Sequence, residues 1–291
     1  MLLAEYELGK LLLTETYSDY NPEEGIEWLR RSAKQGFVPA QSALGILYYN
    51  GLGNFIKPNV QEARCWFDKA AKQDDGVAQY YLGEIYFEGN GVRKNRKEGF
   101  KWYKKSSKSE YVSAQQKLAY CYLNGIGTPK NDDEGYLLLA SLALWGDEEA
   151  LTLLQSAAVL ENAAAEFGMW VFHYNQDDIE TGYQWLEKAA EKEHGNALYA
   201  MAVRYDNEGN DPQKLRYFRR AAGKGHADAQ HQLGLLLENC ANKKAPKNEK
   251  AFMWMNTSGL DKDRKHHFIL PQRRVLYCWA TRKGRGEGKK I

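Results

Sequence analysis

Three kinds of chemistry demand particular residues at fixed spacing, and the 291-residue chain can be read against each of them. A serine acylated with the help of a lysine needs S-x-x-K, one helical turn, usually with a K-T-G elsewhere. None of the ten serines has a lysine three residues on, and K-T-G does not occur. A helix-borne zinc site of the H-E-x-x-H kind, which sets two imidazoles on one face, is missing as well. Of the six histidines, His266 and His267 are adjacent and would point to different sides of a helix. His194 and His226 fall in expected turns, where solvent should surround them, while His173 and His231 fall on expected helices. The phosphate loop G-x-x-x-x-G-K-[ST] is absent despite 26 glycines. Cys65, Cys121, Cys240 and Cys278 are far apart with no C-x-x-C pair, so neither a disulfide framework nor a thiolate metal site is expected. Cys65 and Cys121 stand beside aromatics and read as small buried thiols. The expectation is a chain with no catalytic residue, no metal and no cofactor, hence not an enzyme.

What the residues do show is repetition. "AQSALGILYYNGLG" (40–53) returns as "AQYYLGEIYFEGNG" (78–91), and the pattern A-x-x-x-[LMF]-[GA]-x-x-[YLV] finds anchors at Ala4, Ala40, Ala78, Ala114, Ala163, Ala197 and Ala229. A second phrase follows each anchor, as in "IEWLRRSA", "RCWFDKAA" and "YQWLEKAA", with its first large residue at Trp28, Trp66, Trp102, Leu138, Trp185, Tyr217 and Trp254. Anchor, +4 and +8 share one helical face, so Ala40, Leu44 and Tyr48 make an apolar stripe. The residue at +5 is Gly or Ala, where a neighbouring helix must come close. The tryptophan of the second phrase should wedge a second helix against the first. Glycines such as those of "NGLG" stop the first helix, and Gly36, Gly146 and Gly225 stop the second, because glycine takes positive φ at little cost. One such pair cannot bury its apolar faces alone, whereas stacked pairs can. "ALTLLQSAAVLEN" (150–162) interrupts the rhythm and reads as a half-unit of one helix.

The phrase A-x-x-x-L-G-x-x-Y-x-x-G-x-G followed by W-[YFL]-x-K-A-A resembles the Sel1-like repeat family, relatives of the tetratricopeptide repeats. The resemblance covers about residues 1–260 and departs from the pattern at Leu138, in the turn after Ala163 and over 150–162. It implies an all-α fold, a right-handed superhelical solenoid of antiparallel helix pairs over 1–260, followed by a capping helix and basic tail over 261–291. It also implies a non-catalytic scaffold that takes a partner protein in a concave groove lined by the first helix of each pair. Some bacterial proteins of this type neutralise secreted toxins, phospholipases among them, and a signalling or assembly adaptor is the alternative. Others have been discussed as acting on β-lactams, against which the missing serine motifs argue.

If the pairs pack as in tetratricopeptide arrays, positions +2, +6, +9 and +10 of the first helices face the groove. In the first four units these include Tyr6, Lys10, Tyr49, Asn50, Tyr80, Glu84, Phe87, Glu88, Gln116, Tyr120 and Asn124. The later units add Phe172, His173, Tyr199, Asp206, Asn207, His231, Glu238 and Asn239. Asparagine recurs at +10, either to grip a partner's backbone or to cap the helix ahead of its glycine. Acidic residues outnumber basic ones in this set, which suits a basic protein segment and repels nucleic acid.

The net charge of +2 hides a gradient: residues 262–291 carry ten Lys/Arg against two acids, leaving the body acidic. "FILPQRRVLYCWATRK" (268–283) holds apolar residues enough for one helix over the end of the last unit, and its basic surroundings could meet a membrane surface. No apolar run is long enough for a bilayer and "MLLAEYELGK" lacks a signal-peptide pattern. The cysteines favour a reducing compartment, the cytoplasm, with the periplasm open if a leader precedes Ala4.

Overall fold

The computed structural model describes residues 1–242 apart from Tyr17, with side chains in the last helix only as far as Leu236. The described residues form fourteen α-helices and no strand beyond a single bridge between Leu52 and Ile56. None of these helices is long and apolar enough to cross a membrane. They divide into two compact units at Asn131. The first holds α1 (Leu2–Leu12), α2 (Pro22–Lys34), α3 (Val38–Asn50), α4 (Val60–Ala71), α5 (Gly76–Glu88), α6 (Arg96–Ser107) and α7 (Val112–Asn124). The second holds α8 (Asp132–Leu144), α9 (Glu148–Val159), α10 (Ala163–Asn175), α11 (Ile179–Glu191), α12 (Gly195–Asn207), α13 (Asp211–Gly223) and α14 (Ala227–Asn242). The expected capping helix and tail over 261–291 lie outside the described residues.

Local chemistry sets the helix ends. Asn21, Asn59 and Asn95 accept backbone N–H groups of the first turns of α2, α4 and α6, an arrangement that contributes about 1 kcal/mol per helix. Gly36, Gly146 and Gly225 take φ of +91°, +91° and +84° after α2, α8 and α13, as the sequence implies. At five other junctions an acidic residue adopts the same left-handed turn: Asp74, Glu110, Glu161, Asp177 and Glu193, with φ near 60°. Left-handed backbone costs an L side chain roughly 1–2 kcal/mol that glycine avoids, less for the short Asp74 and Asp177 than for the glutamates.

Packing follows the stripe. Ala40, Leu44, Ala78, Leu82, Ala114 and Leu118 are buried, and so are the small residues at +5. A methyl carbon built on Gly45 would lie 2.5 Å from Phe67 Cε1, and one on Gly83 would lie 2.5 Å from Tyr103 Cδ1. The wedge, however, is not the tryptophan. Leu29, Phe67, Tyr103, Leu186 and Phe218, each one residue later, are the buried ones. Trp28, Trp66, Trp102 and Trp185 stay half-buried, each with the cation three residues on over its ring: Arg31 at 4.8 Å, Lys69 at 3.9 Å, Lys105 at 4.1 Å and Lys188 at 4.1 Å.

A third recurring feature escapes a search for apolar period. The amide of Gln41 donates to the Ala33 carbonyl, that of Gln79 to Ala71 and that of Gln230 to Ala222, tying each first helix to the end of the helix before it. Gln41 and Gln79 are buried, so these bonds satisfy carbonyls that water cannot reach.

The stretch read as a half-unit holds the single helix α9, and the register shifts after it. α9 is one helix, and α10 lies across both α8 and α9: a methyl on Gly168 would meet Leu154 at 2.8 Å and the Tyr136 carbonyl at 3.2 Å. In α1–α2 and α5–α6, a glycine of the second helix (Gly25, Gly99) abuts the +5 and +9 residues of the first. In α10–α11 the corresponding Gly182 abuts Trp170 and Tyr174. Counting back from these, the anchor of this unit is the fully buried Ala165 rather than Ala163. Gly168 satisfies the motif by coincidence, facing α9 instead of α11.

Candidate protein-binding face

In the first unit the proposed face sorts into open and closed positions. Phe87 does not belong to it. At 6% exposure it packs against Tyr103 and Cys121 in the core, because Gly99 of α6 lets the helices approach until a methyl there would touch Phe87 Cβ at 2.8 Å. Position +9 therefore points at the unit's own second helix, and Tyr49, also at +9, is half-buried beside Phe67 and Tyr81. Its hydroxyl accepts from Asn90 Nδ2 at 3.1 Å.

Tyr80 is half-buried among Tyr81, Tyr103 and Tyr111, and burial, with Glu84 nearby, holds its hydroxyl well above the usual phenol range. Glu84 is likewise engaged: it accepts from the buried Tyr103 hydroxyl at 2.5 Å and pairs with Lys117 at 3.1 Å. Burial first, and that bond second, raise the Tyr103 hydroxyl so that it stays a donor. Tyr6 packs edge-on against Phe37 with Lys10 over its ring, and Lys10 pairs with Glu7 at 3.3 Å. Glu88 is exposed and meets Lys94 at 3.5 Å. The acidic charge expected of this face is thus matched locally by lysines.

The exposed positions are Lys10, Asn50, Glu88, Gln116, Tyr120 and Asn124, at +2, +6 and +10. Gln116, Tyr120 and Asn124 form one line along α7, with Tyr120 51% exposed between the two amides. Asn124 donates to the Tyr120 carbonyl at 2.9 Å just before Gly125, whose φ is +65°, so this asparagine helps to end its helix. Its Oδ1 is not used in that bond.

In the second unit the register shift moves two residues off the face. Phe172 and His173 stand at +7 and +8 from Ala165, not at +9 and +10; His173 Nδ1 lies 3.0 Å from Asp178, which also caps α11. Tyr199 is half-buried, stacked on His226 at 4.4 Å, and burial pushes its hydroxyl up to about 12. Asp206 and Asn207 are exposed, Asp206 pairing with Lys214 at 2.9 Å, and His231 is half-buried. The side chains of Glu238 and Asn239 lie outside the described residues.

His194 and His226 are not solvated turn residues. Each caps a helix, accepting the N–H of Ala197 or Ala229 at Nδ1 over 3.3 Å, and His194 Nε2 meets Asp133 at 2.5 Å. Burial lowers the basicity of His226, as a ring that must keep an acceptor nitrogen requires. Cys65 is exposed, correcting its placement in the core, while Cys121 is buried and its thiol is pushed up to about 11 by that burial. Among the described residues no three His, Cys, Asp or Glu side chains converge as metal ligands.

The sequence profile of the Sel1 repeat matches residues 2–37, 38–75, 76–111, 112–144, 168–194 and 227–258, more than half of the chain. The chain belongs to the Sel1 repeat family. The first three Sel1 matches coincide with α1–α2, α3–α4 and α5–α6, and α12–α13, outside the matched residues, form a helix pair of the same length. Sel1 repeat proteins typically mediate protein–protein interaction. An uncharacterized protein of Neisseria meningitidis serogroup B is 30% identical over 95 residues, 32% of this chain and 19% of the relative. An ERAD-associated E3 ubiquitin-protein ligase component, HRD3B of Arabidopsis thaliana, is 39% identical over 75 residues, 24% of this chain and 12% of the relative. The match thus spans less than a fifth of either curated relative. Among solved structures, c5321, a protective antigen of uropathogenic Escherichia coli, aligns at 22% identity with TM-score 0.48, covering 89% of this chain and 61% of that one.

Proposed function

We propose that this chain is a non-catalytic scaffold that holds a partner protein on the first-helix face of its first unit. The observation that carries this reading is the line Gln116, Tyr120, Asn124 on α7: a half-exposed aromatic between two amides, one turn away on either side. Tyrosine is a favoured interface anchor because it brings large area with few rotatable bonds, and amides supply paired donors and acceptors. Asn50, Glu88 and Lys10 extend the polar rim on the preceding helices. A narrower form makes the partner a secreted toxin, such as a phospholipase effector, and this chain its inhibitor; membership of the Sel1 repeat family, some bacterial members of which neutralise secreted toxins, supports it.

The test uses residues whose loss leaves the core intact. Asn50, Glu88, Gln116, Tyr120 and Asn124 are replaced together by Ala, and partner capture is followed by affinity purification and mass spectrometry. The expected result is loss of the captured protein with unchanged helicity and melting. Undiminished capture would refute the face. Co-expression with the captured partner then separates the narrower form from an adaptor, since only an inhibitor relieves the partner's toxicity.

A further inference from the structure

The second helices share one layout, and α6 departs from it in charge. Counted from the tryptophan that carries a cation over its ring, positions −5, −1, +2 and +6 fall on the outward side. They are Glu23, Glu27, Arg30 and Lys34 in α2, and Gln61, Cys65, Asp68 and Lys72 in α4, each set without net charge. In α11 they are Glu180, Gln184, Glu187 and Glu191. In α6 all four are lysine: Lys97, Lys101, Lys104 and Lys108. At 3.6 residues per turn these lysines fall within about 60° of arc, opposite the buried Gly99, Tyr103 and Ser106, and all four are exposed. Lys101 pairs at 2.9 Å with Glu98, the one acid among residues 93–108 against eight Lys/Arg. Among the described residues no acid stands within ion-pair distance of Lys97, Lys104 or Lys108. Like charges one turn apart weaken a helix, so the fold itself gains nothing from this line.

We infer that this side of α6 docks an acidic helix of a partner protein. The rise from one lysine to the next is about 6, 4.5 and 6 Å, the interval at which carboxylates recur along one face of a helix. The 4-3-4 spacing reads the same in both directions, so the incoming helix can lie parallel or antiparallel. Four opposed pairs then form over about 16 Å, and complementary charge of this kind selects a partner and speeds its arrival. Other polyanions fit less well. Outside 93–108, residues 1–131 carry fourteen Asp/Glu against ten Lys/Arg, so an anionic bilayer laid on α6 meets net negative charge around it. Single-stranded nucleic acid needs open rings for its bases, and Trp102 is half-buried with Lys105 over its ring at 4.1 Å. Duplex phosphates advance by about 3.4 Å along each strand, out of step with the lysines. The inference rests on the scaffold reading in that the ligand is a protein, but its surface is separate from α7.

The test titrates the full chain with a labelled, Ala-rich helical peptide of about 20 residues carrying four Glu at the 4-3-4 spacing. An isomer of equal composition and helicity, its four Glu spread around the helix, is the control for net charge. The aligned peptide should bind about tenfold more tightly than the isomer, and salt should weaken it. Lys101→Gln with Lys104→Gln should lower that affinity by about fivefold while the melting temperature holds or rises, since a like-charge pair is relieved. A merely structural role for these lysines would lower the melting temperature instead. Equal binding of the two peptides, no binding of the aligned one, or binding unmoved by the Gln pair would overturn the inference. So would tighter binding of a duplex oligonucleotide, or of vesicles containing phosphatidylserine, than of the aligned peptide. The five-alanine variant that tests α7 should bind the aligned peptide unchanged, so either reading can fail without the other.

Discussion

Replacing Gly45 by Ala tests the close approach on which the α3–α4 pair is built. The new carbon would sit 2.5 Å, 2.7 Å and 3.1 Å from three atoms of the Phe67 ring, so ring and helix must part by close to ~1 Å before contact becomes ordinary. The ring has nowhere to go: its other face is stacked on Tyr81 at 4.9 Å and 4°, and Tyr49 stands edge-on at 6.4 Å. Overpacking of this kind costs about 1–3 kcal/mol, and the helix-propensity gain of Ala over Gly returns at most about 1. A net loss of about 1–2 kcal/mol is expected, lowering the melting temperature by roughly 2–8 °C for a domain of this size. Gly223→Ala is the matched control, since a methyl there meets nothing within 4 Å and should be neutral or stabilising by up to about 1 kcal/mol. Both are followed by circular dichroism on heating and in urea. If Gly45→Ala stabilises as much as Gly223→Ala, the argument from close approach is wrong. The pair α12–α13 shows what is at stake, for it carries Ala202 at +5 and still buries Phe218.

Two further outcomes follow from buried polar groups. Gln41→Ala removes both the donor to Ala33 and the acceptor for Gln73 Nε2, and should cost about 1–3 kcal/mol in urea unfolding. His226 is held neutral in the folded chain with its pKa lowered from the usual 6.5, so the unfolded chain binds its proton more readily. Its stability contribution is therefore complete above about pH 6.5 and is lost as pH falls through the lower folded value, by at most about 1.4 kcal/mol per pH unit. Melting from pH 7.5 to 5 should show this loss, and His226→Asn, which can still cap the helix, should remove the part due to this residue.

The repeat itself, the helices and their ends were legible in the sequence, because capping, glycine turns and the one-face stripe are local properties that neighbouring residues carry. Ala40, Leu44 and Gly45 announce their roles without reference to anything distant. The register of α10 was not legible in the same way, since Ala163 and Gly168 satisfy the motif while only the contact of Gly182 with Trp170 identifies Ala165 as the anchor. The candidate face divided along the same line. That Tyr120 and Asn124 sit on the outer side of a helix is a matter of period. That Phe87 is core, Glu84 is taken by Tyr103 and Lys117, and α9 keeps Leu153 and Leu160 uncovered depends on which helix comes next in space. Periodicity determines which residues share a face; what that face meets is decided by packing between helices, and one missing helix beside α9 changes the answer.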